Sequence, residues 1–321
     1  MIKKLFTLLL LGSYLFALPV NKNTLLEISR TYGYYQGQKY TLQKIKEKYL
    51  SLGHQVDKIQ KEFDLSFNNP IRNIDKLFGN AKGWQEVKKK LNREIQQQKL
   101  SSFSYEDGVN FIEEVKQRTK GEIESPVLET LLVLNPNYEK NPEQEFYDGF
   151  KKKFKSHKSS KAKGVSFSID IPMSWLSKEA YRPNIVQKFI AQNGHSPDII
   201  MLLVKNIPNG EQVSKKEIKS IINKRDMKLF LPSNAMLKEF GYIELEGLSG
   251  YWQQYAVSMQ RVTRTISMET LAYTLFYQDK MIQIQCSVGD FENKGLDQKM
   301  KKFKPLFENV VNSFVFYSSY K

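Results

Sequence analysis

Between Thr24 and Tyr49 the apolar residues Leu25, Ile28, Tyr32, Tyr35, Leu42, Ile45 and Tyr49 recur at steps near three, four and seven. That spacing predicts one long helix with a single apolar stripe. Gly33 and Gly37 lie four apart and share a face, where a neighbouring helix can approach closely. Val56, Ile59 and Phe63 keep the helical period, as do Trp84, Val87, Leu91 and Ile95. Pro70 suits the first turn of a helix over "IRNIDKLFG". Ser104 with Asp107, Ser125 before Pro126 and Asn141 before Pro142 mark three more helix starts. In the last of these, Phe146, Phe150 and Phe154 step by four and are expected to form one helical edge.

From Gly164 the period changes to two. Val165, Phe167, Ile169 and Ile171 alternate with Ser166, Ser168 and Asp170, the pattern of a half-buried strand that Pro172 stops. "NIVQKFIA", "DIIMLLVKN", "YIELEG", "GYWQQYAVSMQ", "ISMETLAYTLFYQ" and "KMIQIQCSV" read as further strands. Ser214 opens a helix over "KKEIKSIINKR", and a final helix is expected from about Gly295 to Asn312. Consecutive strands joined by short turns imply an antiparallel sheet with helices on it. The fold class is therefore α+β: residues 18–150 a helical domain, 151–163 a Lys/Ser-rich linker, and 164–321 an antiparallel α+β domain. The most apolar strands, near Leu271 and Ile284, are expected at the centre of the sheet.

Charge sharpens that division. The chain of 321 residues carries a net +15, and the stretch "KKKFKSHKSSKAK" from Lys151 to Lys163 holds seven lysines and no acid. About half of the excess thus lies in thirteen residues. A run this dense can meet an anionic surface, with Lys151, Lys152, Lys153 and Lys155 as candidate contacts. The plainer reading is a helix end running into a solvated hinge. Serine is interleaved with these lysines where a single-strand nucleic-acid binder would carry stacking aromatics, so nucleic acid is not an expected partner.

The N-terminus sets the compartment. Lys3 and Lys4 precede an apolar run from Leu5 to Phe16, and Ala17 offers a small residue for cleavage, the pattern of a secretory signal peptide over residues 1–17. The run is too short for a membrane span of about 20 residues, and no later segment is apolar enough for one. A periplasmic or secreted location is expected. The single cysteine, Cys286, sits on the apolar side of an alternating strand and reads as a packing residue.

The segments "FSIDIPMSW" and "FENVVNSFVF", with the antiparallel run between them, resemble the PsbP-type fold over about Gly164 to Tyr317. "KAKGVSFSIDIPMSW" with "RPNIVQKF" is also similar to bacterial exported proteins that share a helical first half. The resemblance implies an αβα sandwich and, because members act mainly by contacting other proteins, binding more than catalysis.

Chemistry-bearing patterns are sparse. The three histidines lack metal-ligand spacing, and no nucleophile elbow or phosphate-binding glycine loop occurs, so neither a metal nor a cofactor is implied. His195, Ser196 and Asp198 read as a turn, and Glu244 with Glu246 as paired acids on one solvated strand face. The corner formed by Trp175, Arg182 and Asn184 reads as structural, with Trp175 covering an end of the core, and would be functional only if the three were exposed together beside a cleft. Two functions remain. One is an exported, non-enzymatic envelope protein that contacts another protein or an anionic surface. The other is a hydrolase whose site assembles at the domain junction.

Overall fold

The computed structural model describes residues 22–79, 82–97, 103–123, 125–261, 264–291 and 295–317. The signal-peptide segment 1–17 lies outside them. Two compact units emerge: the described residues up to Lys140 with Asp148–Phe150, and Asn141–Tyr147 with the described residues from Lys151 onward.

The first unit is helical: α1 Lys22–Lys48, α2 Gly53–Phe78, α3 Lys82–Gln96, α4 Tyr105–Thr119, α5 Pro126–Val133 and α6 Pro136–Lys140. The apolar stripe read from the sequence is its core, with Ile28, Tyr35, Leu42, Ile45, Phe63 and Phe67 all buried. Of Gly33 and Gly37, Gly33 alone meets a neighbouring helix. A Cβ there would lie 3.2 Å from Leu91 of α3, whereas one at Gly37 would meet nothing within 4 Å. Pro70 does not start a helix but sits buried inside α2, which runs through it with one backbone donor missing. Buried Arg118 joins α4 to α1, donating to Gln38 at 3.0 Å, pairing with Glu114, and stacking over the Tyr34 ring at 5.1 Å. Burial pushes the Tyr34 hydroxyl up to about 12 against the opposing pull of Arg118.

The second unit opens with α7 Glu143–Tyr147 and then, in place of the expected helix and linker, strand β1 Lys151–Lys155. Gly149, at φ +89°, ends the helical course. The phenylalanine edge is therefore broken up: Phe146 joins the core of the second unit, Phe150 belongs to the first, and Phe154 lies in β1. β2 (Phe167–Pro172) pairs antiparallel with β1 and with the short β10 (Val315–Phe316). A second sheet comprises β3 Leu176–Lys178, β4 Ile185–Ile190, β5 Ile199–Asn206, β6 Met236–Leu245, β7 Leu248–Arg261, β8 Arg264–Tyr277 and β9 Lys280–Asp290. Its order is β3-β4-β5-β9-β8-β7-β6, antiparallel throughout, so β9 is central with β8 beside it.

Register explains the core. One row across the sheet runs Phe189, Ile200, Cys286, Leu271, and the next runs Leu202, Ile284, Tyr273, Trp252. All lie on the face that α10 (Leu296–Asn312) covers with Met300, Leu306, Phe307 and Val310. Gly241 of β6 stands opposite Trp252, where a Cβ would lie 2.7 Å from the indole nitrogen. On the other face, α8 (Lys215–Ile221) and α9 (Lys224–Leu229) pack over β7 and β6. Ile218 and Met227 point inward, and Gln253 donates to the Met227 carbonyl at 2.7 Å.

Candidate functional site

The lysine run and the tryptophan corner meet in one place, and the chemistry there is internal. β1 alternates exposed Lys151, Lys153 and Lys155 with half-buried Lys152 and Phe154. Lys151 and Lys153 both reach Asp170 of β2, at 3.1 and 2.8 Å, and Asp170 is itself only 8% exposed. Burial acts to raise the Asp170 carboxyl, but the two ammonium groups outweigh it and hold the acid below its usual range. Lys152 donates to the Met173 carbonyl at 3.1 Å, Lys161 to Glu179 and the Ala180 carbonyl, and Lys163 to the Pro183 carbonyl at 3.4 Å. Five of the seven lysines thus face oxygens of the protein itself, and Lys155 stays exposed.

These contacts fasten the corner. Trp175 is 3% exposed and packs edge-on against Phe303 and Phe307 at 6.4 and 6.3 Å. Buried Glu145 of α7 accepts from the Ser174 amide and hydroxyl, each at 2.7 Å. Asn184 is half-buried, its carbonyl accepting from Val204 at 2.9 Å, and Arg182 is exposed. Trp175, Arg182 and Asn184 therefore share no exposed surface, because the indole belongs to the core.

The remaining sequence constellations are structural too. Asp198 is 2% exposed, accepts from Ser196 at 2.7 Å and the Gly289 amide at 3.0 Å, and pairs with Lys299 at 2.6 Å. Glu244 pairs with Lys215 and accepts from Tyr242 at 2.6 Å. Glu246 does not share that strand face: it lies in the β6–β7 turn at φ +51° and accepts from the Phe316 amide at 3.3 Å.

Each unit has a concave feature. In the first, a cleft of about 450 Å³ is lined by Gln36, Tyr40, Gln60, Asn92 and Gln96 over Leu42 and Ile95. In the second, a groove of about 710 Å³ lies between the β7–β8 hairpin and the start of α10, lined by Met236, Lys238, Ser258, Ser267, Leu296 and Asp297. Glu269, 1% exposed, is held by Lys238 at 2.7 Å and Gln254 at 2.6 Å, and Lys238 also pairs with Asp297. Burial works against the Lys238 charge, yet Asp297 and Glu269 raise its pKa overall, while Lys238 lowers that of Asp297. Burial pushes the Cys286 thiol up. Proton transfer near neutral pH asks for the reverse, a raised acid or a lowered lysine or thiol.

One solvent-facing feature of mixed chemistry does not follow from the sequence patterns: the tip formed by α9 and the loop into β6. Leu229 is 76% exposed, Phe230 51% and Met236 62%. Met227 faces the sheet, so Arg225, Lys228 and Leu229, at steps of three and four, face out together. Phe230 stacks on buried Tyr251 at 5.7 Å and 24°, and the Asn234 amide donates to the Ser258 carbonyl at 2.7 Å, so the tip is held in place. Exposed Lys224, Arg225 and Lys228 adjoin it along α9, with no ion-pair partner among the described residues. The signal was present in "NKRDMKLFLP", where apolar residues directly follow cations beyond a short helix.

No protein-family model matches the chain, and no curated protein matches it by sequence. Among solved structures, the C-terminal half is similar to the PsbP protein CyanoP of Synechocystis sp. PCC 6803. That pair is 15% identical with a TM-score of 0.35, over 52% of this chain and 92% of the other. It is also similar to the Ran-binding protein Mog1p of Saccharomyces cerevisiae, at 9% identity and a TM-score of 0.32, over 53% and 97% of the two chains. A third is LpqN of Mycobacterium tuberculosis, involved in cell envelope biogenesis, at 13% identity and a TM-score of 0.32, over 53% and 92%. The neighbours include the PsbP protein whose fold "FSIDIPMSW" resembles. At these identities and scores the likeness carries no function across. No helix among the described residues is long and apolar enough to cross a membrane.

Proposed function

We propose that the chain is an exported, non-enzymatic binding protein of the bacterial envelope, and that its second unit makes the contact through the α9 tip. The observation that carries this is the pair of exposed apolar side chains Leu229 and Phe230, the second stacked on Tyr251, beside cations with no ion-pair partner among the described residues. Leaving Leu229 and the outer half of the Phe230 ring in water adds little to the stability of the domain, whereas docking removes them from it.

A photo-crosslinking amino acid at position 230 in the tagged chain tests this in cells. Crosslinks to an envelope component are expected, on a chain shortened by the mass of its first 17 residues. Full-length material in the cytoplasm would overturn export, and a position 230 that crosslinks to nothing would overturn the contact surface.

A further inference from the structure

Resting on the reading that the second unit docks through its α9 tip, we propose that the docking partner is a bilayer leaflet rich in anionic phospholipid headgroups. The composition of the tip selects this partner over a protein. The core of a protein–protein interface is depleted in charge and holds a broad aromatic centre. Here the presented apolar set is small, Leu229 with Met236 and half-exposed Phe230, and cations adjoin it along the chain: Lys224, Arg225 and Lys228 on the same helix. Shallow apolar insertion joined to a polybasic patch is what binds a membrane surface, where neither alone holds firmly.

The local acids do not cancel this field. Of the two in residues 215–228, Glu217 closes the capping box of α8 with Ser214, and Asp226 accepts from Asn223 at the start of α9. Both occupy helix N-termini, where the helix dipole favours negative charge. Lys215 is paired with Glu244 and Lys219 lies over the Tyr242 ring at 5.1 Å, so these two brace α8 against β6. The outward cations are left to meet phosphate. The stack of Phe230 on Tyr251 means that the aromatic wedge is ordered before it binds.

The test is cosedimentation of the full chain with vesicles of phosphatidylcholine alone or mixed with phosphatidylglycerol. Retention is expected only on the mixed vesicles, and raising the salt should weaken it. Leu229→Ser with Phe230→Ser should lower it roughly tenfold, the equivalent of one partly inserted side chain. Lys224→Ser, Arg225→Ser and Lys228→Ser together should lower it by roughly a hundredfold, at about a factor of five for each cation. Phe230→Trp keeps the wedge and should show a blue-shifted emission on mixed vesicles, a readout that does not depend on a disruptive variant. Equal retention on both vesicle types, retention on neither, or retention unchanged by the tip variants would each overturn the lipid partner. If position 230 instead crosslinks to a protein in cells and vesicles do not bind, the lipid inference fails while the binding function stands. If neither occurs, both fail.

Discussion

Two basic segments of the second unit, residues 151–163 and 215–228, have similar cation content and direct it oppositely. The first holds seven lysines, the second five lysines and an arginine. The first is threaded through β1 and two short turns, where β2 and the loops on either side of β3 supply acceptors: Asp170 and the carbonyls of Met173, Ala180 and Pro183. The second lies on two short helices, where Lys215 and Lys219 brace α8 against β6 while Lys216, Lys224, Arg225 and Lys228 point outward with no ion-pair partner among the described residues. A lysine cluster therefore announces a surface only when its backbone leaves the ammonium groups no internal oxygen. Density of charge in the sequence does not distinguish the two cases; the local secondary structure does.

The sharpest way to break this contrast is Asp170→Ala. It leaves Lys151 and Lys153 on one face of β1 without their shared counter-charge. Because Asp170 is nearly buried but both lysines are partly solvated, the loss should be about 2 kcal/mol in denaturant unfolding. The pH dependence carries a sign. The folded pKa of Asp170 lies below its unfolded value, so its contribution is present above the unfolded pKa, near 4, and is lost as pH falls through the folded one. The native protein should lose stability over that acid range more steeply than the Asp170→Ala variant. Identical acid profiles would remove Asp170 as the anchor of β1.

Next in size is Phe230→Ala. Half of that ring is already in water, so what is lost is the stack on Tyr251, about 1 kcal/mol of unfolding free energy or less. Leu229→Ser should change stability by under about 0.5 kcal/mol. A loss of several kcal/mol from either would mean that the tip is part of the core and not a docking surface.

Much of the second unit was legible because period-two alternation on a half-buried sheet leaves a strong trace. Ile282, Ile284 and Cys286 of β9 point to the core as their spacing implied, and the α+β class follows from the antiparallel order. β1 was hidden because its outward positions and one inward position are all lysine, which masks the alternation that Phe154 alone preserves. The helical edge of Phe146, Phe150 and Phe154 failed because spacing by four says nothing about a left-handed glycine at position 149 that breaks the run. Of the candidate site, the corner residues were visible and Trp175 read as cover for an end of the core, but its ring partners Phe303 and Phe307, on a helix more than a hundred residues away, were not legible from local spacing. The α9 tip escaped notice for a related reason: exposed and buried Leu-Phe pairs look alike until the neighbouring sheet face is assigned.

The smallest expected effect is the most discriminating. Lys155 and Lys158 are the exposed lysines of the first segment that face none of the protein oxygens fixing Lys151, Lys152, Lys153, Lys161 and Lys163. Lys155→Ser with Lys158→Ser should leave unfolding free energy within about 0.5 kcal/mol of the native value, as for ordinary surface changes. It removes two positive charges, about as many as two of the three changed together on α9. If charge alone drove attachment to anionic vesicles, removing any two exposed cations would weaken it comparably, allowing for distance from the surface. If the apolar wedge sets which face approaches the bilayer, this pair should leave retention nearly unchanged while the α9 cations do not. Equal losses from both sets, measured by cosedimentation at one salt concentration, would show that the two segments differ in anchoring but not in what they bind.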